Sequence, residues 1–325
     1  MVTEKIRKYA FWILDYFKGS KIKRHYKEIA YLNSNSNILD IQKRRLEIIY
    51  NILKHATETT PFYKKFKGID ELEKFPVLKK TVIQENFSEF KSESYLNKPY
   101  KIVSTSGSTG VPFVLHQNIN KKLRNTADVL YFLNKANFNL GEKLYDLQVW
   151  ENKDQMTKPF EAWKRNVNQV NVSSFNDPDI ETLIEKFEQE TSQFTIMGIA
   201  STLDGFCSYL DNIKAINLSR LKIKSVVAIS EALSDYTKKS IKKYFNINTV
   251  SRYSTEELGI LAQQLAEENN DTFHINWASY HIEILQMNTD KPAKAGEMGR
   301  IIVTDLFNYC MPIIRYDTGD ISTFL

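Results

Sequence analysis

Residues 104–112 read Ser-Thr-Ser-Gly-Ser-Thr-Gly-Val-Pro, a run of hydroxyl side chains with two glycines and a closing proline. Gly107 and Gly110 allow the backbone to turn tightly and to come close to a ligand. Successive backbone N–H groups in such a turn form a concave anion site, and the hydroxyls add further donors. The pattern therefore predicts a loop that wraps nucleotide phosphates, with a solvated Ser/Gly loop as the alternative. The lysine of the commoner P-loop is missing, so that motif is excluded.

The chain around this stretch alternates strands with helices. The short apolar run Ile102-Val103 before it predicts the end of a strand, and residues 118–138 after it predict a helix. Further along, we predict strands at 143–149, 194–197, 223–229 and 248–252, and helices at 177–191, 201–210 and 233–244. This alternation is typical of an α/β fold with parallel pairing. Ligands in such sheets bind beyond the carboxyl ends of the strands.

Composition and charge exclude some classes of protein. The 325 residues are 42% apolar and carry 44 Lys and Arg against 39 Asp and Glu, a net charge of +5. Residues 1–30 hold eight basic and three acidic residues, which accounts for the whole excess. A nucleic-acid-binding protein would carry basic residues over its whole binding surface, so we expect no nucleic-acid partner. Two widely separated cysteines, Cys207 and Cys310, predict reduced thiols and a cytoplasmic location.

The first thirty residues contain an apolar run at 9–14 that Asp15 interrupts. The run is far shorter than the roughly 20 residues that span a bilayer, and no small-residue cleavage site follows it. It predicts an amphipathic helix. We favour a helix that docks on the protein core by its aromatic face. The alternative is peripheral membrane contact through residues 1–30.

Three further motifs follow predicted strands. Ser230-Glu231-Ala232 comes after the apolar strand, although Ser230 or Ser234 could equally cap the next helix. The run 252–259 reads Arg-Tyr-Ser-Thr-Glu-Glu-Leu-Gly. Residues 296–304 read Gly-Glu-Met-Gly-Arg-Ile-Ile-Val-Thr, and 315–320 read Arg-Tyr-Asp-Thr-Gly-Asp.

Together these motifs resemble the adenylate-forming superfamily, which includes acyl-CoA synthetases, luciferases and peptide-synthetase adenylation domains. Its motifs have the forms [ST]-S-G-[ST]-T-G-x-P, Y-G-x-[ST]-E and G-E-x-G-x-[IL]-x-V-T followed by R-Y-x-T-G-D. A Pro-Phe-Tyr element at 61–63 and Phe-Pro-Val-Leu-Lys-Lys at 75–80 resemble the phenylacetate–CoA ligase branch. Within that branch, the chain looks closest to the ligase-like proteins associated with capsular polysaccharide biosynthesis.

The resemblance implies an α/β fold of layered sheets flanked by helices, with a small β-barrel-like part. We expect a helical region at 1–96 packed on an ATP- and acyl-binding domain at 97–325. In the superfamily a hinge and a mobile domain of about 100 residues normally follow, a size ordinary for a small domain. That domain carries a lysine that activates the carboxylate. The sequence given ends at Leu325, so the resemblance covers the N-terminal domain only.

The resemblance also implies roles for individual residues. The loop residues Thr105, Ser106, Gly107, Ser108, Thr109 and Gly110 would hold the phosphates, with Thr109 in the catalytic set. Ser230, Glu231 and Ala232 would lie against adenine. Thr255 would contact the α-phosphate, Glu256 would bind Mg²⁺ with Glu257 as the rival carboxylate, and Asp320 would accept the ribose hydroxyls. No glycine follows Tyr253, and this tyrosine is one residue closer to Thr255 than usual. Either Tyr253 or Arg252 would therefore stack on adenine.

The implied reaction joins a carboxylic acid to ATP, giving an acyl-adenylate and pyrophosphate, with Mg²⁺ and phosphate-loop donors in support. A thiol, for which coenzyme A is a candidate, would then take the acyl group. The alternative is a catalytically incomplete scaffold that holds a nucleotide or acyl group for a partner in a polysaccharide pathway. The acid and the oligomeric state, including a homodimer, are left open.

Overall fold

The computed structural model describes residues 2–34, 36–104, 113–150, 164–214, 218–268 and 270–325. The helices there are α1 (Val2–Phe17), α2 (Lys21–Leu32), α3 (Ile38–Thr59), α4 (Lys80–Glu85), α5 (Ile119–Lys135), α6 (Asp177–Glu188), α7 (Ala200–Asn212) and α8 (Asp235–Phe245). Short 3₁₀ helices cover Pro61–Phe66, Leu72–Lys74 and Glu93–Tyr95. Within this part of the chain, none of the helices has the length and apolar content that crossing a membrane requires.

The strands in the same described ranges are β1 (Tyr100–Ser104), β2 (Val114–Asn118), β3 (Lys143–Gln148), β4 (Val167–Asn171), β5 (Phe194–Ile199), β6 (Ile223–Ile229), β7 (Thr249–Thr255), β8 (Gly259–Gln263), β9 (His274–Ile275), β10 (Tyr280–Gln286), β11 (Gly299–Asp305) and β12 (Tyr316–Ser322). They form sheets of seven, three and two strands. The predicted alternation of strands and helices after residue 120 is confirmed.

The chain divides into two compact units, each drawn from several stretches. The first unit comprises residues 1–21, 129–254 and 262–274. The second comprises 22–128, 255–261 and 275–325. The helical region predicted at 1–96 therefore contributes to both units. Its division from 97–325 as a domain stays a prediction.

The first unit is built on the seven-stranded sheet, whose strand order is β4-β3-β5-β6-β7-β8-β9. The pairs β3–β4, β3–β5, β5–β6 and β6–β7 are parallel. Residues 255–261, the end of β7 and most of β8, are counted with the second unit. Parallel strands need helical crossovers, and α7 and α8 supply them on either side of β6.

Helices cover the parallel strands because both faces of the sheet are apolar. Along β6, Val226 and Ala228 belong to a large apolar core that includes side chains of α6, α7 and α8. Val227 and Ile229 point the other way, into a smaller cluster with Ala136 and Val250. Alternate strand residues point to opposite faces, so a continuous apolar run predicts burial on both sides.

The second unit contains the two smaller sheets. Strands β10, β11 and β12 form an antiparallel sheet, with a register shift between Arg300 and Ile302 on β11. Strands β1 and β2 form an antiparallel hairpin in which Ser104 pairs with Val114. Strand β2 was not predicted, since residues 114–118 lie between the phosphate stretch and the predicted helix. Helix α3 buries Ile48, Ile52, Leu53 and Ala56 in this unit.

Candidate functional site

The predicted phosphate stretch joins the two strands of the β1–β2 hairpin. Ser104 ends β1, and Val114 begins β2 as its register partner. Thr105, Ser106, Gly107, Ser108, Thr109 and Gly110 lie outside the described residues, so their predicted roles stay predictions. Phe113, the first described residue after the stretch, is 1% exposed. A buried anchor therefore follows the stretch directly.

The Thr255–Gly259 turn is held by side chains from the second unit. Thr255 Oγ1 accepts the backbone N–H of Leu258 at 3.2 Å, which closes the turn. The Gln117 side chain on β2 donates to the Glu257 carbonyl at 2.9 Å, and the Tyr280 hydroxyl donates to the Leu258 carbonyl at 2.5 Å. Because the Glu257 carbonyl and both backbone groups of Leu258 are hydrogen-bonded, the conformation of the turn is set by its neighbours.

Gly259 completes the turn at a place where a side chain does not fit. Its φ is +115°, a conformation that residues with a Cβ rarely adopt. A Cβ added there would lie 2.9 Å from the Tyr280 hydroxyl and 3.3 Å from Asn125 Oδ1. Only glycine allows Tyr280 to reach the carbonyl of Leu258.

The two adjacent glutamates of the turn have different surroundings. Glu256 is exposed. Glu257 is buried, and one of its carboxylate oxygens accepts a hydrogen bond from the Tyr316 hydroxyl at 3.1 Å. A buried carboxylate with a bound donor holds the turn, whereas an exposed carboxylate is accessible to a cation. Burial thus distinguishes Glu256 from Glu257, the two carboxylates that the sequence left as alternative metal ligands.

Tyr316 also links this turn to the end of the phosphate stretch. Its ring stacks on Phe113, with ring centroids 5.7 Å apart and planes 21° apart. Lys80 lies with its ammonium 5.4 Å from the centre of the Phe113 ring. Phe113, which follows the 104–112 stretch, Glu257 of the 252–259 motif and Tyr316 of the 315–320 motif are therefore in contact inside one unit.

A buried charged group lies behind Tyr280. The Lys121 ammonium is 2.8 Å from Asp305 Oδ2 and donates to the Tyr280 hydroxyl at 2.9 Å. Lys121, Asp305 and Tyr280 are each 1% exposed or less at the side chain or residue level. Burial raises the pKa of Tyr280 well above its ordinary value, so the hydroxyl keeps the proton it donates to Leu258. The support that Gln117, Tyr280 and Tyr316 give to this turn was not predicted from the sequence. Of these three residues, Tyr316 alone lies in a motif.

Arg315 anchors a loop through an ion pair and hydrogen bonds to backbone carbonyls. Its guanidinium forms two parallel hydrogen bonds to the Glu283 carboxylate, at 3.0 and 2.9 Å. It also donates to the carbonyl oxygens of Glu73 and Phe75, at 3.0 and 2.8 Å. The residue is 4% exposed and has a φ of 52°. All of these contacts lie within the second unit.

Asp320, the predicted ribose acceptor, lies on β12 and is exposed. Its backbone N–H donates to Thr318 Oγ1 at 3.2 Å, and the preceding Gly319 has a φ of +84°. The strand is tied to β11 by Arg300, which lies 2.7 Å from the Asp317 carboxylate. Asp320 thus stands on a strand whose position is set by paired charges.

The Ser230-Glu231-Ala232 motif belongs to the first unit. Ser230 has a φ of 70°, and the Glu231 N–H donates to the Ile229 carbonyl at 2.9 Å, which makes a tight three-residue turn after β6. The Glu231 carboxylate accepts the backbone N–H of Ser201 at 3.0 Å, at the start of α7. A carboxylate is favoured there by the helix dipole. Ser234 caps α8 through the Thr237 N–H, which confirms the capping alternative for that residue.

Arg252 and Tyr253, the two candidates for adenine stacking, also belong to the first unit. Arg252 is buried and donates from Nε to the Gln263 side chain at 2.8 Å. Its Nη2 has no hydrogen-bond partner among the described residues. Burial lowers the pKa of Arg252 to about 10, with the charge of Asp146 opposing the shift. Tyr253 is half-buried.

The carboxylate of Asp146 on β3 interacts electrostatically with Arg252. It is 8% exposed, and the Gln148 side chain donates to it at 2.7 Å. Burial raises the pKa of Asp146 to about 6, against the lowering effects of Gln148 and Arg252. No sequence motif pointed to Asp146, since a lone aspartate within a strand carries no recognisable pattern.

Two histidines, His116 and His274, contact neighbouring protein side chains. The His116 ring stacks on Tyr100, with centroids 4.1 Å apart, and His274 lies 2.8 Å from the Glu268 carboxylate. Within the described ranges, no group of three or more His, Cys, Asp or Glu side chains is placed to hold a metal ion. A Mg²⁺ ion bound through Glu256 would take its other ligands from phosphates and water, which is usual for this ion.

Comparison with known proteins places this fold in a class. No family model matches the sequence. The structure matches that of 2-hydroxyisobutyryl-CoA ligase in an open conformation, in complex with 2-HIB-AMP and CoA, with a TM-score of 0.71 and 14% identity. The match covers 90% of this chain and 71% of that one. The chain therefore has the fold of the adenylate-forming ligases.

Two relatives are similar to this chain in sequence. Protein CapK of Staphylococcus aureus is 26% identical over 326 residues, which cover 94% of this chain and 67% of the relative. Phenylacetate-coenzyme A ligase of Thermus thermophilus is 22% identical over 303 residues, covering 88% and 65%. These comparisons support the adenylate-forming, phenylacetate–CoA ligase-like family that the motifs resemble. The chain spans about two thirds of the length of these relatives.

Proposed function

We propose that this chain binds ATP and a carboxylic acid and forms an acyl-adenylate, which a thiol of the coenzyme A type then accepts. The names of the relatives support this reaction class, since a phenylacetate-coenzyme A ligase and a 2-hydroxyisobutyryl-CoA ligase are among them. The latter is described in complex with an acyl-AMP and CoA. The acid itself and the pathway, whether polysaccharide or acyl acid metabolism, stay predictions, as does the cytoplasmic location.

The observation that carries the proposal is that Glu256 is exposed whereas the neighbouring Glu257 is buried and hydrogen-bonded. Glu257 is held by the Tyr316 hydroxyl, and its backbone carbonyl is held by Gln117. Glu256 is left exposed on a turn that is fixed at both ends. A rigid turn that presents one carboxylate suits Mg²⁺, which needs few protein ligands when phosphates supply the rest. We assign the metal-binding role to Glu256 on this basis.

The remaining roles follow from the motifs. Thr105 to Gly110 would hold the phosphates through backbone N–H groups and hydroxyls, with Thr109 next to the reacting phosphate. Thr255 would contribute its hydroxyl to the α-phosphate, and Asp320 would accept the ribose hydroxyls. Bound Mg²⁺ would neutralise charge on the pyrophosphate that leaves.

The adenine side would be formed by Ser230, Glu231 and Ala232 together with Tyr253. Two observations support Tyr253 over Arg252 as the stacking group. Arg252 is buried with its Nε bound to Gln263, whereas Tyr253 is half-buried. A guanidinium that is already bound within the core would lose that hydrogen bond if it turned toward a nucleotide.

The experiment is ATP–pyrophosphate exchange with this chain across a panel of aliphatic and aromatic carboxylic acids, next to a titration with Mg·ATP. Exchange that depends on one acid supports the proposal. Binding of Mg·ATP without exchange for any acid supports the alternative, a nucleotide-binding scaffold that acts with a partner. Absence of Mg·ATP binding contradicts both.

A matched pair of variants makes the experiment sharper. Glu256→Gln should lower exchange and Mg·ATP affinity together. Glu47→Gln removes an exposed carboxylate of α3 in the same unit and should leave both unchanged. Equal effects of the two substitutions would show that net charge, and not a metal site, governs binding.

A further inference from the structure

Helix α1 turns its apolar side chains outward. Seven large apolar residues of this helix are exposed: Leu14 by 44% and, on one side of the helix, six others, namely Val2 by 74%, Ile6 by 60%, Tyr9 by 65%, Ile13 by 54%, Tyr16 by 71% and Phe17 by 79%. The first five of these six are three or four residues apart and Phe17 follows Tyr16, which puts the six within an arc of about 100° on the helix surface. We call these six residues the α1 stripe. A stripe of this kind usually faces the core of its own protein, and here it does not.

The opposite side of α1 is held against the first unit. Gly141 comes so close that an added Cβ would lie 2.2 Å from the Glu4 carbonyl oxygen and 3.1 Å from the Lys8 nitrogen. Asp15 is 5% exposed, and Phe11 and Trp12 are half-buried. Phe11 and Trp12 therefore agree with the predicted docking by aromatic residues. The docking fixes which face of α1 looks outward, so the exposed stripe is a property of the folded unit.

The acidic and basic residues of α1 differ in exposure. Its two acids, Glu4 and Asp15, are not among the exposed residues and take part in interactions. The exposed charges of the helix are Lys5 and Lys8, and Lys18 follows at its end. The outward side of α1 is therefore apolar and cationic, with no exposed carboxylate on the helix.

We propose that the α1 stripe binds the surface of a membrane that contains anionic lipids. An amphipathic helix with apolar and aromatic residues on one face and lysines beside them lies in the interface between headgroups and acyl chains. Tyr and Trp are favoured at that depth because their rings are amphipathic. The 16 residues of α1 lie flat on the bilayer, and the lysines meet the lipid phosphates.

The charge pattern favours lipid over a second copy of this chain. A pair of α1 helices would bring Lys5 and Lys8 of each copy together with no exposed acid on either helix to balance them. Paired helices are normally matched by opposite charges beside the apolar seam. An anionic lipid surface supplies the missing negative charge.

The test is flotation of the whole chain with two kinds of vesicle, phosphatidylcholine alone and phosphatidylcholine with phosphatidylglycerol, at low and high salt. We expect binding to the anionic vesicles at low salt and at least a tenfold weaker partition when salt screens the lysines. The double variant Ile6→Glu with Ile13→Glu should lower the partition at least tenfold. The double variant Lys5→Glu with Lys8→Glu should weaken binding to anionic vesicles and leave binding to neutral ones unchanged.

The matched control is Ile213→Glu, because Ile213 is 53% exposed in the first unit and Ile13 is 54% exposed. This variant should bind vesicles as the parent chain does. Circular dichroism and a thermal melt check that all variants are folded. Failure of the parent chain to float at low salt overturns the proposal, as does equal binding by the Ile6/Ile13 variant. Concentration-dependent dimers that this variant abolishes, without vesicle binding, assign the stripe to a second copy instead.

Discussion

Tyr316 donates its hydroxyl hydrogen to the Glu257 carboxylate at 3.1 Å, and this bond links two motifs that are 59 residues apart in the chain. Tyr316 is 2% exposed, and its ring also stacks on Phe113 at the end of the phosphate stretch. The bond withdraws Glu257 from solvent and leaves Glu256 as the exposed carboxylate of the turn. The two neighbouring glutamates therefore differ in role because of their partners.

Tyr316→Phe should destabilise the protein by about 1.5–3 kcal/mol, since it leaves a buried carboxylate without its donor. Urea denaturation measures this as a lower midpoint. Tyr50→Phe is the control, because Tyr50 is 48% exposed and its change should stay within about 0.5 kcal/mol. Equal midpoints for the two variants would show that the Tyr316 bond contributes nothing.

Glu256→Gln should weaken Mg·ATP binding about tenfold or more, because it removes the proposed metal ligand. Glu257→Gln should change the affinity less and lower the unfolding midpoint instead, because its side chain is buried against Tyr316. Isothermal titration and urea denaturation of both variants separate the two effects. The reverse order of affinities would move the metal site to Glu257.

Gly259→Ala should destabilise the turn more than Gly296→Ala does. Both glycines have positive φ, +115° and +79°, so both substitutions carry a backbone cost of about 1–2 kcal/mol. At Gly259 the new methyl group also meets the Tyr280 hydroxyl at 2.9 Å, whereas at Gly296 nothing lies within 4 Å. The clash should add about 1–3 kcal/mol. Similar unfolding free energies for the two variants would mean that Tyr280 yields without cost.

Asp146 should make the stability of the protein depend on pH between about 4 and 6. Its pKa is raised to about 6 by burial, while an unfolded aspartate titrates near 4. The native state thus binds a proton more tightly than the unfolded state does. The associated stability is fully present below pH 4 and is lost as the pH rises through 6, by about 3 kcal/mol in all.

Asp146→Asn removes this titration. The difference in unfolding free energy between the parent chain and the variant, measured by urea denaturation from pH 3.5 to 7.5, should change steeply between pH 4 and 6 and level off above. A flat difference across that range would show that the Asp146 carboxyl titrates as it does in the unfolded chain.

Much of the fold followed from local patterns. The apolar run at 223–229 predicted a strand buried on both faces, and the structure places its alternate residues in two apolar clusters. The helix predicted from residue 177 begins there in the structure, and the Asn176 side chain caps it. These signals are local, since a strand's period and a helix cap depend only on neighbouring residues. Strand β2 was missed because five residues after a loop hold too little periodicity to be recognised.

Part of the candidate site was also predicted from local patterns, and part of it was not. The motifs at 252–259 and 315–320 were recognisable in the sequence, and they predicted an acidic pair and a ribose carboxylate. Nothing local showed that Gln117 and Tyr280 would bind the carbonyls of that turn, because both lie far from it in the chain. Arg252 was a candidate for stacking, yet its burial beside Gln263 is a consequence of sheet packing.

The sequence alone therefore predicted the α/β fold class, most of the parallel strands with their crossover helices, and the residue types that can meet a nucleotide. It did so because glycine turns, hydroxyl runs and apolar periods act over a few residues. Only the tertiary structure decided which of two adjacent glutamates is exposed, and which face of α1 looks outward. Those outcomes depend on long-range partners, Tyr316 for Glu257 and Gly141 for α1, and burial of a side chain is set by what packs on it.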